Sequence, residues 1–407
     1  MIVFLGLSHL SLCYAASLIK LKKKVFIVDT DKEISNYKLG LTKIFEEGLD
    51  EILKQKSDFF KITSDNKILN TAKIIFLAKD VKTDSNNNII LKECFKLLKL
   101  TNKISKNKIL VIMNQVPVGF TRSIKWKSNK IYHFVETLVF GNAIKRASNP
   151  ERIIIGKSRH DIKIDRALRS LLNLYKSPII EMTYEESELT KGYINTYLAS
   201  QLATTNILSE ICSKFSARWS IIFSAIGLDK RIGNLGYYKP GLGISGGNIE
   251  RDLKTLSKLT KKFKIKNNLP DFLLDSSTYY KNFVLRLIKK NKMKKIAIFG
   301  LTYKDKTLSI KNSPQVNIIK NLNKMVKVHD FKSDKLIKKK QIKNLKIKFE
   351  KIETCLNFCE TVIIFHNLKM YKNIKFSYYS NIKNVIDPYG FLSSLKINNK
   401  KYFRINN

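Results

Sequence analysis

Acidic residues are scarce in this chain of 407 residues: 33 Asp and Glu stand against 76 Lys and Arg, a formal net charge of +43. Such an imbalance attracts polyanions. The basic runs at 22–24, 261–266, 289–295 and 338–351 are nevertheless scattered and form no nucleic-acid signature. Lys, Asn and Ile are enriched together along the whole chain, which reads as codon bias, and no nucleic-acid partner is expected. The residual attraction for anions suits a phosphate-bearing substrate. Cysteine is sparse and odd in number: Cys13, Cys94, Cys212, Cys355 and Cys359. No disulfide framework follows, and a reducing compartment, the cytoplasm, fits. No His or Cys set surrounds Cys355 and Cys359, so no metal site is expected there. No stretch reaches the ~20 apolar residues of a membrane span. The apolar start MIVFLGLSHLSLCYAASLIKL lacks a basic segment before it, and its lysines come after. It reads as a buried strand entering a helix rather than as a signal peptide.

What is present is ample apolar material, 44% of the residues, enough for sizeable cores. At ~150 residues per domain the length predicts two or three domains. Met1–Leu5 is a short apolar run, followed by a turn, the helical stretch Leu12–Lys20, and a second run Val25–Val28 closed by Asp29. That is a β-turn-α-β unit. Further runs at 74–78, 109–113 and 153–156 alternate with helical segments, which predicts a parallel sheet covered on both faces. From Glu185 to about Phe215 the apolar spacing becomes helical over one long element. Runs at 294–300, 326–330, 361–365 and 384–387 then begin a second α/β unit. The expected fold is α/β: two Rossmann-like parallel-sheet domains joined by a long central helix, with divisions at 1–180, 181–290 and 291–407.

A strand that feeds G-x-G-x-x-G into a helix is the dinucleotide fingerprint. Here its positions are Gly6, Ser8 and Ser11, so only the first is glycine. Serine at the second position adds a Cβ where pyrophosphate approaches, although its hydroxyl could bond a phosphate. Asp29 lies where a ribose-binding acid belongs, and an acid there favours NAD over NADP. A second ligand loop is GLGISGGNIERD at 241–252, with Asn248 near its centre.

Taken together, several collinear stretches resemble the UDP-glucose/GDP-mannose dehydrogenase family. They include GLSHLSLCYA, QVPVGFT at 115–121, VETLVFGNAI and NPERIIIG within 135–156, and SELTKGYINTYLA at 187–199. GLDKRIG at 227–233, PGLGISGGNIERD at 240–252 and GLTYKDKTLSIKNSP at 300–314 continue the match. The resemblance implies an N-terminal NAD domain, a homodimer formed through the central helix, and a C-terminal domain for a UDP- or GDP-linked sugar. It implies two successive NAD-dependent oxidations of the sugar alcohol to the acid, through a cysteine-bound intermediate, as in polysaccharide biosynthesis. It assigns Lys191 and Asn195 to oxygen stabilisation, Asp252 to partnering the lysine and a water, and Glu136 to positioning. Arg231, Gly243 and Lys304 fall at substrate-binding positions.

The departures are concentrated at the same sites. Asn248 stands where the family has its cysteine, and a neutral amide cannot capture a carbonyl carbon. The Val-Pro-Thr-Pro turn is replaced by Lys79-Asp80-Val81-Lys82, and the residues before Asp252 are Glu250-Arg251. Phe140, Lys311 and Pro388-Tyr389 replace further expected polar groups. Two readings follow: an oxidoreductase limited to one hydride transfer, or a family-derived binding or assembly partner without turnover.

Overall fold

The computed structural model describes residues 1–39, 46–55, 57–84, 89–101, 107–126, 128, 130–230, 232, 236–305, 307–322, 324–392, 397 and 400–405. The chain divides into two compact units, Met1–Ile194 and Asn195–Asn407. The division falls inside the central helix, Tyr184–Lys214.

The first unit is built on strands β1 (Ile2–Leu5), β2 (Val25–Val28), β3 (Phe60–Thr63) and β4 (Ile74–Leu77). A short antiparallel pair follows, β5 (Lys82–Thr83) and β6 (Ile89–Ile90). Then come β7 (Ile109–Ile112), β8 (Ile131–Phe134), β9 (Ile153–Lys157) and β10 (Ile179–Thr183). The main sheet has eight strands in the order β10-β9-β8-β7-β4-β1-β2-β3. Its pairs are parallel except β8 with β9, which is antiparallel. The register aligns Ile2 with Val25 on one side and with Ile74 on the other. β1, β2, β4 and β7 are buried throughout, which explains their continuous apolar runs. Alternate side chains feed opposite faces. Phe4, Ile27, Phe76 and Val111 join a core with the first helix, His9–Lys20. Val3, Val28, Leu77 and Ile112 join the other core, with Leu97 and Phe120.

The second unit carries β11 (Ile296–Phe299), β12 (Val326–His329), β13 (Ile347–Phe349), β14 (Thr361–Ile364), β15 (Asn384–Ile386) and β16 (Lys401–Phe403). They form a six-stranded sheet, β13-β12-β11-β14-β15-β16, whose pairs are all parallel. Both sheets reverse direction of growth beside the first strand of the unit, between β1 and β4 and between β11 and β14. In open α/β sheets ligands bind in the crevice beyond the strand C-termini at such a switch point. Residues 6–9 and 78–80 border the first crevice; residues 300–304 and 365–366 border the second. Both expected Rossmann-like sheets are thus present with the central helix. Among the described residues no helix is long and apolar enough to cross a membrane.

Candidate active site and cofactor cleft

Gly6 ends β1 with φ +101°, a conformation that L side chains rarely adopt. Its N–H donates to the Val28 carbonyl at 2.9 Å. The next N–H, of Leu7, donates to Asp29 Oδ2 at 2.7 Å, and Thr30 N–H donates to Oδ1 at 2.8 Å. Ser8 is the extended N-cap of the first helix and forms a capping box with Ser11. Ser11 N–H donates to Ser8 Oγ at 3.2 Å, and Ser8 N–H donates to Ser11 Oγ at 2.9 Å. The Ser8 hydroxyl itself donates to the Ala78 carbonyl. The serines that replace two glycines therefore cap the helix end.

Several neighbours of the turn are not legible from the sequence as its partners. Lys79 Nζ donates to Asp29 Oδ2 at 2.6 Å and to Glu33 Oε2 at 3.1 Å. Burial pulls the Lys79 pKa down, but the bonds to Asp29 and Glu33 outweigh it and leave it raised. Asp80 Oδ2 accepts the His9 N–H at 3.3 Å. The His9 ring stacks on Phe140 at 4.2 Å between centroids, and its Nε2 pairs with Glu46 Oε1 at 2.8 Å. Burial raises the Glu46 carboxyl, yet bonds from His9, Gly141 and Ala143 prevail and hold it below the usual range.

Deeper in this unit, Lys191 and Glu136 meet. Lys191 Nζ lies 2.9 Å from Glu136 Oε1 and donates to the Glu136 carbonyl at 2.7 Å. They border a small pocket with Asn114, Gln115, His133 and Glu188. Glu188 accepts the N–H groups of Gly119 at 2.6 Å and Thr121 at 2.8 Å. Burial raises its pKa against those bonds. His133 is pushed down to about 4 by burial and pairs with Ser187 Oγ at 2.8 Å.

The second unit holds the other expected residues. Asn195 donates to Asp252 Oδ2, and Arg251 Nε donates to Oδ1 at 3.1 Å. Asp252 is buried, as are Asn195 and Arg251. The loop before them is tightly fixed. Gly241 N–H donates to Asn206 Oδ1 at 2.9 Å, and Ile244 N–H donates to Ser277 Oγ at 2.8 Å. Gly243 has φ +70°, and a Cβ there would come within 2.4 Å of the Ser277 carbonyl oxygen. Gly246 lies against the Tyr303 ring, its carbonyl accepts Asn312 Nδ2 at 2.7 Å, and the Lys311 stem covers Gly247. The loop thus packs on the segment after the second glycine turn, where Lys304 is exposed. Asn248 is the first residue of the helix Asn248–Lys262 and is exposed. Arg231 lies outside the described residues. No buried cysteine substitutes readily for a nucleophile at 248. Burial pushes the Cys94, Cys355 and Cys359 thiols up to about 12, and Cys13 higher still. Cys212 is half-buried on the central helix.

A two-sheet frame with a dinucleotide-type turn in one unit and a glycine-rich ligand loop in the other defines a class: dehydrogenases acting on nucleotide-linked substrates. The sequence profiles of the UDP-glucose/GDP-mannose dehydrogenase family match in three parts. The NAD binding domain covers residues 1–178, the central domain 185–276 and the UDP binding domain 297–393. The chain belongs to that family. It is 26% identical over 349 residues to UDP-glucose 6-dehydrogenase YwqF of Bacillus subtilis, covering 79% of this chain and 76% of that protein. With UDP-glucose 6-dehydrogenase of Rickettsia conorii it shares 29% identity over 348 residues, covering 81% and 80%. The fold matches a UDP-glucose dehydrogenase from Pyrobaculum islandicum with a TM-score of 0.83 at 21% identity, covering 98% of this chain and 96% of that one.

The cofactor of this domain class is NAD. The frame fits it: a positive-φ glycine, a helix N-terminus and an acid closing β2 stand in the expected places. In this chain the acid and the N–H groups of Leu7, Ser8, His9 and Ser11 already have partners within the protein.

Proposed function

We propose that the chain oxidises an alcohol of a UDP- or GDP-linked sugar and stops after one hydride transfer. The reading rests on Asn248, the first residue of the loop helix, at the position where the resemblance puts the family's cysteine. A carboxamide gives no thiohemiacetal, so an aldehyde or ketone product has no route to a thioester and then to an acid. When bound, NAD supplies the hydride acceptor. The protein's own groups supply the rest. Lys191, oriented by Glu136, donates hydrogen bonds to the substrate oxygen on which charge develops. Asp252, held by Asn195 and Arg251, accepts a proton through water. The fixed turns around Gly243 orient the loop, and Arg231 and Lys304 contribute positive charge for the diphosphate. The exposed apolar residues of the central helix, Tyr193, Tyr197 and Ile211 among them, support pairing with a second copy. A cytoplasmic location accords with the free thiols.

The test counts NADH formed per sugar across UDP- and GDP-sugars. One NADH with a carbonyl product trapped by a hydrazine is the expected result, and Asn248→Cys should add the second NADH. Two NADH per sugar in the native chain would refute the single-step reading. A second reading, a binding partner without turnover, is favoured by the engagement of Asp29 with Lys79. Absence of NADH with every sugar, alongside nucleotide-sugar binding, would select it.

A further inference from the structure

We propose that Lys79 latches the cofactor cleft: its ammonium occupies the carboxylate that an adenosine ribose would use, and NAD binds only by displacing it. This takes NAD as the cofactor class but does not depend on whether the chain turns over.

The position is the first support. Lys79 follows β4 at the switch point, directly opposite Gly6, and a Cβ on Gly6 would come within 2.7 Å of Lys79 Cβ. The lysine therefore springs from the wall of the crevice where a dinucleotide lies. Its side chain runs inward, since the residue is 6% exposed. The ammonium's donors are aimed at Asp29, at Glu33 and, more distantly, at the Leu7 carbonyl at 3.5 Å.

The acceptor is the second. Asp29 is only 4% exposed. A carboxylate offers about four lone-pair positions. In Asp29 three of these already receive donors: Leu7 N–H and Lys79 Nζ on Oδ2, and Thr30 N–H on Oδ1. Ribose recognition needs a carboxylate edge open to hydroxyl donors, and Lys79 Nζ covers the Oδ2 edge.

The phosphate end is the third. A helix N-terminus binds pyrophosphate through free N–H groups. Here the N–H groups of Leu7, Ser8, His9 and Ser11 donate to Asp29, Ser11 Oγ, Asp80 and Ser8 Oγ. The Asp80 carboxyl at the helix end competes with a phosphate for the His9 N–H.

The second unit provides the contrast. There Asp330 accepts Leu301 N–H at 2.9 Å, as Asp29 accepts Leu7 N–H, and its second backbone donor is Lys332 N–H at 2.9 Å, two residues on. His366 stands opposite Gly300, as Lys79 stands opposite Gly6. Its Nε2 pairs with the Thr302 carbonyl at 2.8 Å. The turn thus closes without a side-chain cation from the opposite wall on its acid, so the ion pair in the first unit is an addition to the turn.

If the cleft is open for only a fraction of the time, apparent affinity falls by that fraction. Lys79→Ala should therefore bind NAD at least about tenfold more tightly than the native chain, by isothermal titration calorimetry. Lys79→Gln keeps a shorter stem and an uncharged amide donor, and should shift affinity in the same direction by a smaller factor. It serves if the alanine variant fails to fold by circular dichroism. On the native chain alone, NAD and nicotinamide mononucleotide should bind within about threefold of each other, because the adenosine half finds its acceptor taken. Equal or weaker NAD binding by a folded Lys79 variant would overturn the latch. So would a native preference for NAD over the mononucleotide of about thirtyfold or more.

Discussion

Gly6 and Gly300 end the first strands of their units at φ +101° and +92°, and each N–H reaches across to the neighbouring strand, to the Val28 and His329 carbonyls. In both turns the next N–H, of Leu7 or Leu301, donates to the acid that closes the adjacent strand, Asp29 or Asp330. Beyond that point they diverge. The first turn enters a helix at once, at His9, whereas the second runs through a loop to the helix Pro314–Leu322. That loop carries Lys304, Lys311 and Asn312, and its Ser313 hydroxyl returns to the Leu301 carbonyl at 2.9 Å. The first turn ends in a helix start whose N–H groups of Leu7, Ser8, His9 and Ser11 are engaged, and the second offers side-chain charge. The shared acid has a backbone task in both units, so its presence at a strand end does not by itself mark a ribose site. What separates the two is the cation across the crevice.

The largest expected effect sharpens this contrast directly. Asp29→Ala leaves the buried Lys79 ammonium with Glu33 and the more distant Leu7 carbonyl and should cost about 3 kcal/mol or more in urea unfolding. Asp330→Ala removes two backbone hydrogen bonds and an attraction to Lys332, and should cost about 1–3 kcal/mol. Equal costs in the two units would break the distinction.

Acid sensitivity comes next. His133 is buried, and its pKa is lowered from an ordinary 6.5 to about 4. The folded imidazole stays neutral while the unfolded one binds a proton, so this stability is full above the ordinary value. It is lost as pH falls toward the folded value, by about 3 kcal/mol in total at ~1.4 kcal/mol per pKa unit. Melting temperature followed across that window should fall less steeply in His133→Gln. An unchanged slope would assign the acid loss to other groups. The smallest effect concerns the helix that only the first turn meets at once. Ser8→Ala should cost about 1 kcal/mol through the lost cap, and Ser8→Gly only a few tenths. Both are readable as shifts in thermal unfolding.

The strands that are legible in the sequence are those with neighbours on both sides and helices on both faces, such as IVFL, VFIV and ILVI. The edges are not legible: β3 (FKIT), β10 (IIEMT), β13 (IKF) and β16 (KYF) escape notice. Each borders one partner only, is partly exposed, and carries Lys, Glu or Thr where an interior strand has Ile or Val. β8 (IYHF) escapes because His133 interrupts its apolar run, although it is fully buried and satisfied by Ser187. The first helix begins at His9 rather than at Leu12, because the Ser8 and Ser11 side chains cap it.

The candidate site divides in a similar way. Gly6, Asp29 and the loop around Gly243 involve residue types whose geometry has few alternatives, whereas the bond from Asn195 to Asp252 was not legible in the sequence. The replacement of the Val-Pro-Thr-Pro turn by Lys79-Asp80-Val81-Lys82 is visible in the sequence, but its consequence is not. Lys79 meets an acid 50 positions away, and Asp80 a backbone amide 71 positions away.

Local chemistry determined much of this protein from the sequence alone: two α/β units, one long helix, glycine turns with positive φ, and an amide at position 248. Those features depend on backbone sterics and on apolar periodicity, which act over a few residues. Only the tertiary structure decided which charges neutralise one another. Pairing depends on where separate strands end in space, and a lysine in a chain of such positive charge gives no local sign that its ammonium will be buried against an acid.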